Sequence, residues 1–137
     1  MEKRKAQVVI IAKNQLLLLE TAKSRGDIFW QNVTGSVEEN EDFLIGALRE
    51  VQEETGIQAQ SLIDLGLVFS FVDRFNKTVR EKCYLCFLTK TPEIKLSDEH
   101  QNYKWVDISK VKDTDYKFPS NFEAFKKSLE MLERYKP

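Results

Sequence analysis

The chain has 137 residues, of which 31% are charged and 42% hydrophobic, and its formal net charge is -1 at pH 7. We expect one domain over residues 1–137, because this length is enough for a single core. The nearly balanced charge excludes a general attraction to nucleic acid or anionic membranes. The longest apolar runs are too short to span a bilayer and no signal peptide is evident, so we expect a cytoplasmic protein without a membrane partner.

The N-terminal third of the chain indicates strands separated by polar segments. Its apolar runs are β-branched or leucine-rich, as in buried strands. Lys5 belongs to a basic start that is either a solvated terminus or, because a strand follows directly, a phosphate contact. The predicted elements are a hairpin at residues 6–12 and 16–20, a polar loop at 21–27, and a short strand at 29–33 leading into a turn at Gly35.

A helix predicted over residues 42–55 carries an acidic face and a separate apolar stripe. Because an α-helix turns by about 100° per residue, Glu50, Glu53 and Glu54 fall on one side. Gly56 stands where a glycine can adopt the left-handed conformation that ends a helix. The apolar stripe suited to packing on a sheet consists of Leu44, Ala47, Leu48 and Val51.

Three carboxylates within one helical turn repel each other unless protons or a cation neutralise part of their charge. Mg²⁺ is the expected cation, with Mn²⁺ as the alternative, because both prefer oxygen ligands and retain water molecules. The carbonyl of Gly35 could approach the same ion without interference from a side chain. For three glutamates alone the alternative is a solvated acidic face, but the glycines and apolar positions at fixed offsets favour a metal site.

The C-terminal half predicts further strands and a closing amphipathic helix. Cys83 and Cys86 fall on opposite faces of one predicted strand, which excludes a redox or zinc pair and leaves packing or surface cysteines in a reducing compartment. The predicted elements are a bent or bulged strand at 62–72, a charged turn at 73–77, strands at 83–89 and 103–106, and a helix capped by Ser120 and Glu123 whose apolar face is Phe122, Phe125, Leu129 and Leu132.

The segment from Gly35 to Ile57 resembles the Nudix box at every defined position, with Glu41, Arg49-Glu50, Val51, Glu53-Glu54 and Gly56 at the expected offsets. The resemblance implies the α/β/α sandwich of that family, with a mixed central sheet and a loop-helix-loop metal site. It implies that Glu50 and Glu54 are metal ligands assisted by the Gly35 carbonyl. It also implies that Glu41 and Arg49 brace the loop-helix-loop structure.

The same resemblance implies an activity. Nudix enzymes hydrolyse a nucleoside diphosphate linked to another group, using a divalent metal and attack by water at phosphorus. Such a displacement depends on positioning and charge neutralisation, in agreement with the absence of an evident Ser-His-Asp signature. Glu53 is then a further metal ligand, a contact of metal-bound water or the general base. Glu99, in the predicted loop at residues 90–102, is the candidate base and ligand from outside the box, with an exposed loop glutamate as the alternative.

Other segments resemble one group within the family, the bacterial dihydroneopterin triphosphate diphosphatases of folate biosynthesis. This resemblance rests on residues 29–38, Glu99-His100, Tyr103-Lys104-Trp105 and Ser120-Asn121. It implies a Mg²⁺-dependent diphosphatase that releases pyrophosphate from dihydroneopterin triphosphate or a purine nucleoside triphosphate, with Thr34 at the substrate and Glu99 at the metal. Thr21 stands roughly where those enzymes carry an arginine near the substrate, so Arg25 or Lys23 is the candidate replacement.

Two other functions stay open at this point. The chain could be a Nudix hydrolase of oxidised deoxynucleotides, nucleotide sugars or RNA 5′ ends, or a non-catalytic Nudix-like module that senses a nucleotide. Retention of Glu50, Glu53 and Glu54 favours catalysis. We expect a small-molecule nucleoside or pterin triphosphate as the partner and no stable nucleic-acid partner, while the sequence gives no oligomeric state.

Overall fold

A computed structural model describes residues 2–134, so the predicted domain over 1–137 extends beyond the described residues at both ends. These residues form a seven-stranded mixed sheet with one α-helix on each face, which confirms the predicted α/β sandwich. The strands are β1 (Lys3–Ala12), β2 (Gln15–Thr21), β3 (Trp30–Gln31), β4 (Val33–Val37), β5 (Ile63–Val72), β6 (Thr78–Leu88) and β7 (His100–Asp107), and the helices are α1 (Phe43–Thr55) and α2 (Pro119–Arg134).

The sheet is built around β1, which runs parallel to β6 and antiparallel to β2 and β4. The β1–β2 hairpin pairs only near its turn, and β3 and β4 then insert between the diverging strands. The predicted turn at Gly35 is therefore wrong, because Gly35 lies within β4 and pairs with Ala6. This pairing satisfies backbone groups of β1 that the diverging hairpin would otherwise leave without partners.

Two buried clusters lie on opposite faces of the sheet. The α1 face includes Val8 and Cys86, and the α2 face includes Val9 and Cys83. The prediction that the two cysteines lie on opposite faces is confirmed, and both are buried thiols. Burial raises the pKa of Cys86 to about 11, in agreement with a packing role.

The predicted face of α1 is only partly correct. Ala47 and Val51 are fully buried, but Leu44 is 41% exposed. The inward side of the helix also carries Glu50 and Glu54, and both are buried. Burial of two carboxylates is costly, so this side of the helix is expected to be functional rather than structural.

The start of α2 also differs from the prediction. The helix begins at Pro119, which suits a proline because the first helical N–H needs no intrahelical acceptor. Ser120 therefore lies inside the first turn, and the predicted capping box is wrong. The predicted apolar face is confirmed, since Phe122, Phe125, Leu129 and Leu132 all belong to or pack on the α2-side cluster.

Tertiary pairing lengthens two strands beyond their local sequence signals. The strand β7 pairs with β2 from residue 15 to residue 21 and so begins at His100, and β6 begins at Thr78 because it pairs along the whole of β1. The predicted bend in β5 is confirmed as a register shift between Asp64 and Val68. Within residues 2–134, no helix combines the length and the apolar character that crossing a bilayer requires.

Candidate active site

A cleft of about 590 Å³ opens where β1, β4 and α1 meet the loops that follow β2 and precede β7. Its lining includes Gly35, Glu50 and Glu99, three of the five predicted metal ligands, and all three residues predicted to bind substrate, Lys5, Arg25 and Thr34. The cleft thus combines carboxylates and cations, a pairing suited to a metal ion and a phosphate chain.

Gly35 makes room for the carboxyl group of Glu50. A Cβ atom at Gly35 would lie only 2.0 Å from Cδ of Glu50, so any other residue would displace this glutamate. Burial raises the pKa of Glu50 to about 7, and the negative charges of Glu53 and Glu54 add to the effect while Arg49 opposes it. The glycine in the strand and the glutamate on the helix are therefore one structural unit.

Arg49 ties the loop before α1 to the helix. Its Nε and Nη2 donate to the two carboxylate oxygens of Glu41 at 2.7 and 2.8 Å, and Nη2 also donates to the Ser36 carbonyl at 2.9 Å. Glu41 in turn accepts from the backbone N–H of Glu38 at 2.9 Å. The hydrogen bonds from Arg49, together with that from Glu38, lower the pKa of Glu41 to about 2. This bidentate pair fixes the loop that leads from Gly35 into the helix.

Both ends of α1 are capped. Asp42 Oδ1 accepts from the backbone N–H of Ile45 at 2.9 Å, which satisfies one of the N–H groups left over at a helix start. Gly56 has a φ of 79° and donates its N–H to the Gln52 carbonyl, so the helix ends in the left-handed conformation that favours glycine. These caps set the position of the helix and hence of its glutamates.

The three glutamates near the end of α1, Glu50, Glu53 and Glu54, occupy different environments. The side chains of Glu50 and Glu54 are 10% and 3% exposed, whereas that of Glu53 is 51% exposed. Arg49 Nη1 holds both carboxylate oxygens of Glu53 at 3.1 Å. The geometry therefore separates an inward pair from one glutamate at the surface.

Glu54 is held from the side opposite its own helix by the segment before and at the start of β7. Its Oε2 accepts from Ser97 Oγ at 2.7 Å and from His100 Nδ1 at 2.8 Å. Since Nδ1 of His100 donates to Glu54, its Nε2 accepts from the Gln31 amide at 2.9 Å. Both histidine nitrogens are thereby occupied, and the ring has one orientation.

Glu99 and Glu54 shift each other's pKa in opposite directions. Burial alone would raise the pKa of Glu54, but hydrogen bonds from His100, Glu99 and Ser97 outweigh it and hold that pKa below its usual range. The hydrogen bond to Glu54 raises the pKa of Glu99, and burial adds to the rise. Two neighbouring carboxyl groups repel when both are ionised, and a cation at such a position would relieve the repulsion.

The carboxylate oxygens of this site are the type of ligand that a hard divalent cation prefers. Their side chains, however, are not arranged as a preformed metal site. Among residues 2–134, no three His, Cys, Asp or Glu side chains stand in an arrangement that could hold a metal ion. The inward pair Glu50 and Glu54 together with Glu99 nevertheless offers oxygen ligands at a charge-crowded position, as Mg²⁺ requires. The predicted ligand set of Gly35, Glu50, Glu53, Glu54 and Glu99 stays a prediction.

Several residues of the cleft were missed by the sequence analysis. Arg74 lies just after β5, and Lys117 lies just before α2, where its Nζ contacts Asp27 Oδ2 at 2.9 Å. The Nζ of Lys117 also lies 4.8 Å from the centroid of the Phe29 ring. These single cations carry no local signal in the sequence. His100 could have been found from its position beside Glu99.

Comparison with known proteins agrees with this geometry. The NUDIX domain model matches residues 1–126. The asymmetrical bis(5'-nucleosyl)-tetraphosphatase of Rattus norvegicus is 37% identical over 103 residues, which cover 71% of this chain and 67% of that protein. Dihydroneopterin triphosphate diphosphatase of Escherichia coli strain K12 is 31% identical over 112 residues, covering 73% of this chain and 75% of that enzyme.

Solved structures extend the likeness to nearly the whole chain. The E. coli dihydroneopterin triphosphate pyrophosphohydrolase matches with a TM-score of 0.78 and 30% identity, covering 90% of this chain and 92% of that one. A C. elegans Ap4A hydrolase matches with a TM-score of 0.81 at 24% identity, covering 97% and 99%, which shows a shared fold. The chain belongs to the Nudix family and is a Nudix hydrolase of nucleotide-like substrates.

Proposed function

We propose that this enzyme is a Mg²⁺-dependent diphosphatase that cleaves dihydroneopterin triphosphate, or a related purine nucleoside triphosphate, and releases pyrophosphate. The observation that carries the proposal is the arrangement of charge in the cleft. Glu50 and Glu99 line the cleft, the buried Glu54 acts on the pKa of both, and the cationic side chains of Lys5 and Arg25 line the same cleft. A triphosphate bound through a cation complements both sets of groups.

The carboxyl end of the cleft would hold the metal. Glu50 and Glu54 would be the primary ligands with the Gly35 carbonyl, and Glu53 and Glu99 would be further contacts. When bound, Mg²⁺, or Mn²⁺ in its place, neutralises phosphate charge and orients water. The positive charge of Arg49 reduces the repulsion between Glu50 and Glu53, since its Nη1 lies 3.1 Å from a carboxylate oxygen of each.

Glu99 is the better placed of the two candidate bases. Its side chain is 47% exposed, lines the cleft and has a raised pKa because of the hydrogen bond to Glu54. When ionised it can therefore accept a proton from an attacking water molecule, and the raised pKa makes it a stronger base. Glu53, by contrast, is engaged through both oxygens by Arg49.

The cationic residues would bind the phosphate chain. Lys5 and Arg25, with Thr34, are the predicted substrate contacts, and Arg74 and Lys117 extend this set along the cleft. The Arg25 Nη2 lies 3.6 Å from Glu99 Oε1, so this guanidinium group can bridge the proposed base and a phosphate oxygen. Arginine suits this role because its planar fork matches phosphate oxygens.

A dinucleoside tetraphosphate is the second candidate substrate, because the rat relative at 37% identity is named for cleaving one. RNA 5′ ends, nucleotide sugars and oxidised deoxynucleotides form the rest of the alternatives, and an RNA pyrophosphohydrolase of Pelagibacter ubique is 24% identical over 144 residues. The products separate these substrates. A triphosphate yields pyrophosphate, whereas asymmetrical cleavage of a tetraphosphate yields a nucleoside triphosphate.

A substrate panel tests the proposal. Purified enzyme is incubated with each compound in Mg²⁺, with a parallel sample in EDTA, and products are followed by phosphorus NMR. We expect metal-dependent pyrophosphate from dihydroneopterin triphosphate or a purine nucleoside triphosphate. Turnover of only the tetraphosphate, RNA or nucleotide sugars would contradict the proposal, as would undiminished hydrolysis in EDTA.

A further inference from the structure

A second cavity, of about 410 Å³, lies next to the catalytic cleft. Lys5, Gln31 and Thr34 line both spaces, so the second cavity continues the first. A ligand whose phosphates lie against Lys5 in the cleft can therefore extend its other end into the second cavity. The volume lies within the range of pockets that bind small molecules.

Aromatic side chains form the walls of this second cavity. Phe69 and Phe71 come from β5, and Phe118 stands at the start of α2. Phe71 and Phe118 are 43% and 46% exposed, although both are large apolar side chains. Exposed rings on two sides of one cavity are suited to stacking on a flat heterocycle.

The polar group of the cavity is Glu81 on β6. The strand register pairs Glu81 with Lys5 of β1 on one side and with Phe69 of β5 on the other, so the three side chains project from the same face of the sheet. Glu81 is only 5% exposed. It is the one carboxylate among the residues that line this cavity.

One oxygen of Glu81 is held by a fixed network, and the other is open to the cavity. Oε1 accepts from the Gln7 amide at 2.9 Å, and Gln7 Oε1 accepts from Asn32 Nδ2 at 2.8 Å. Asn32 Oδ1 accepts from the Tyr116 hydroxyl at 2.7 Å. Within residues 2–134, no hydrogen bond is made to Glu81 Oε2. Every fully buried side-chain oxygen of these residues has a hydrogen-bond partner, so Oε2 is not fully buried and is accessible from the cavity.

This arrangement leaves a largely buried carboxylate with one oxygen, Oε2, that can still accept hydrogen bonds. Burial raises the pKa of Glu81, and the Gln7 hydrogen bond and the charge of Lys5 offset only part of that rise. A ligand that donates N–H groups to Oε2 would replace the hydrogen bonds to water that a carboxylate loses on burial. The network behind Gln7 prevents the carboxylate from turning to find other partners.

We propose that the second cavity binds the heterocycle of the substrate, and that Glu81 accepts hydrogen bonds from the ring N–H and amino group of a 2-amino-4-oxopyrimidine edge. Guanine and dihydropterin share this edge. The inference rests on the proposed function, since it places the remainder of the same triphosphate substrate. Adenine presents a ring acceptor beside its amino group, and hypoxanthine lacks the amino group, so both pair less well with a carboxylate.

Isothermal titration calorimetry in EDTA tests this site without turnover. GTP, ITP and dihydroneopterin triphosphate are titrated into the wild type and Glu81→Gln. GTP and ITP differ only in the 2-amino group, so their ratio isolates the proposed contact. We expect wild type to bind GTP roughly tenfold more tightly than ITP, as for one charge-assisted hydrogen bond, and the ratio to fall to about twofold or less in Glu81→Gln.

Phe71→Ala provides a second variant that does not depend on the buried network. Removal of this partly exposed wall should weaken all three ligands by roughly tenfold, as for lost base stacking, and leave the GTP to ITP ratio unchanged. The charge-matched control is Glu93→Gln, an exposed loop glutamate that lines neither cavity. The tighter of GTP and dihydroneopterin triphosphate identifies the heterocycle.

The outcomes separate this inference from the proposed function. An equal GTP to ITP ratio in wild type and Glu81→Gln, or unchanged affinities in Phe71→Ala, would overturn the inference. A preserved preference without pyrophosphate release would overturn only the proposed function. Pyrophosphate release with no preference for the amino group would overturn only the site assigned to Glu81.

Discussion

Glu50 and Glu81 are both buried glutamates with a raised pKa, but they belong to opposite ends of one continuous cavity. Burial is the largest cause of the rise in each case. Glu50 lies among charges, with Arg49, Glu53 and Glu54 around it. Glu81 lies beside the amide of Gln7 and close to the charge of Lys5.

The two glutamates share the free-energy cost of burying a carboxylate, but their neighbouring side chains differ. Those neighbours determine which kind of ligand offsets the cost. A cation offsets the repulsion among several neighbouring carboxylates, because one divalent ion neutralises several charges at once. A single carboxylate among aromatic walls is relieved by neutral N–H donors. One residue type therefore serves phosphate chemistry at one end and heterocycle recognition at the other.

The largest effect is expected from Glu54→Gln at the carboxyl end. Loss of this proposed metal ligand should lower kcat by roughly a thousandfold, because a bound cation would stabilise the transition state. Pyrophosphate release with saturating substrate and Mg²⁺ measures the effect, and Glu93→Gln serves as control. Equal turnover in the variant and wild type would remove the metal-site mechanism.

A smaller loss is expected from Glu99→Gln. If Glu99 takes the proton from water, its substitution should lower kcat by about a hundredfold, as for other general bases, with an unchanged circular dichroism spectrum. The measurement is steady-state turnover in Mg²⁺. Near-normal kcat would return Glu99 to an exposed loop glutamate and shift the role of base to Glu53.

His100 should act on metal affinity through Glu54 rather than on the substrate. His100→Phe removes the donor to Glu54 Oε2 and should weaken Mn²⁺ binding by roughly tenfold or more, as for other groups that orient a metal ligand. His100→Asn keeps a donor near the position of Nδ1 and should restore part of the affinity. Calorimetric titration of Mn²⁺ without substrate provides the measurement, and equal affinities in all three proteins would contradict the role.

The smallest effect concerns stability at the heterocycle end. The folded pKa of Glu81 lies above its unfolded value of 4.5, so ionised Glu81 destabilises the fold as pH rises through the folded pKa, and this cost is absent below pH 4.5. Glu81→Gln should melt at a higher temperature than wild type at pH 8 and at about the same temperature at pH 4. Calorimetric melting at both pH values checks this, and a variant that is less stable at pH 8 would show that the carboxylate stabilises the fold.

The carboxyl end was readable from the sequence because its residues lie on one short helix. The spacing of Glu50 and Glu54 and the glycine at 56 predict the helix and its end from local geometry alone. The inward turn of Glu50 and Glu54, with Glu53 outside, was not readable, because it depends on how α1 packs beside β4. The turn expected at Gly35 failed for a similar reason, since pairing with β1 extends the strand through it.

The heterocycle end gave almost no local signal. Glu81 lies in an ordinary alternating stretch of β6, and its burial depends on β1, β5 and α2 together. Asn121 was expected near a helix cap, but its Oδ1 accepts from the backbone N–H of Asn32 at 2.8 Å. Arg74 and Lys117 are single cations in loops. Contacts between distant segments define such residues, and no spacing rule reveals them.

Kinetics of pyrophosphate release from dihydroneopterin triphosphate, measured side by side for wild type, Glu54→Gln and Glu81→Gln in Mg²⁺, test the division of the cavity most directly. The account predicts that Glu54→Gln lowers kcat, because it acts on the reacting phosphate, and that Glu81→Gln mainly raises KM, because it acts on the bound heterocycle. A fall in kcat of equal size in both variants, or no pyrophosphate from the wild type, would contradict it.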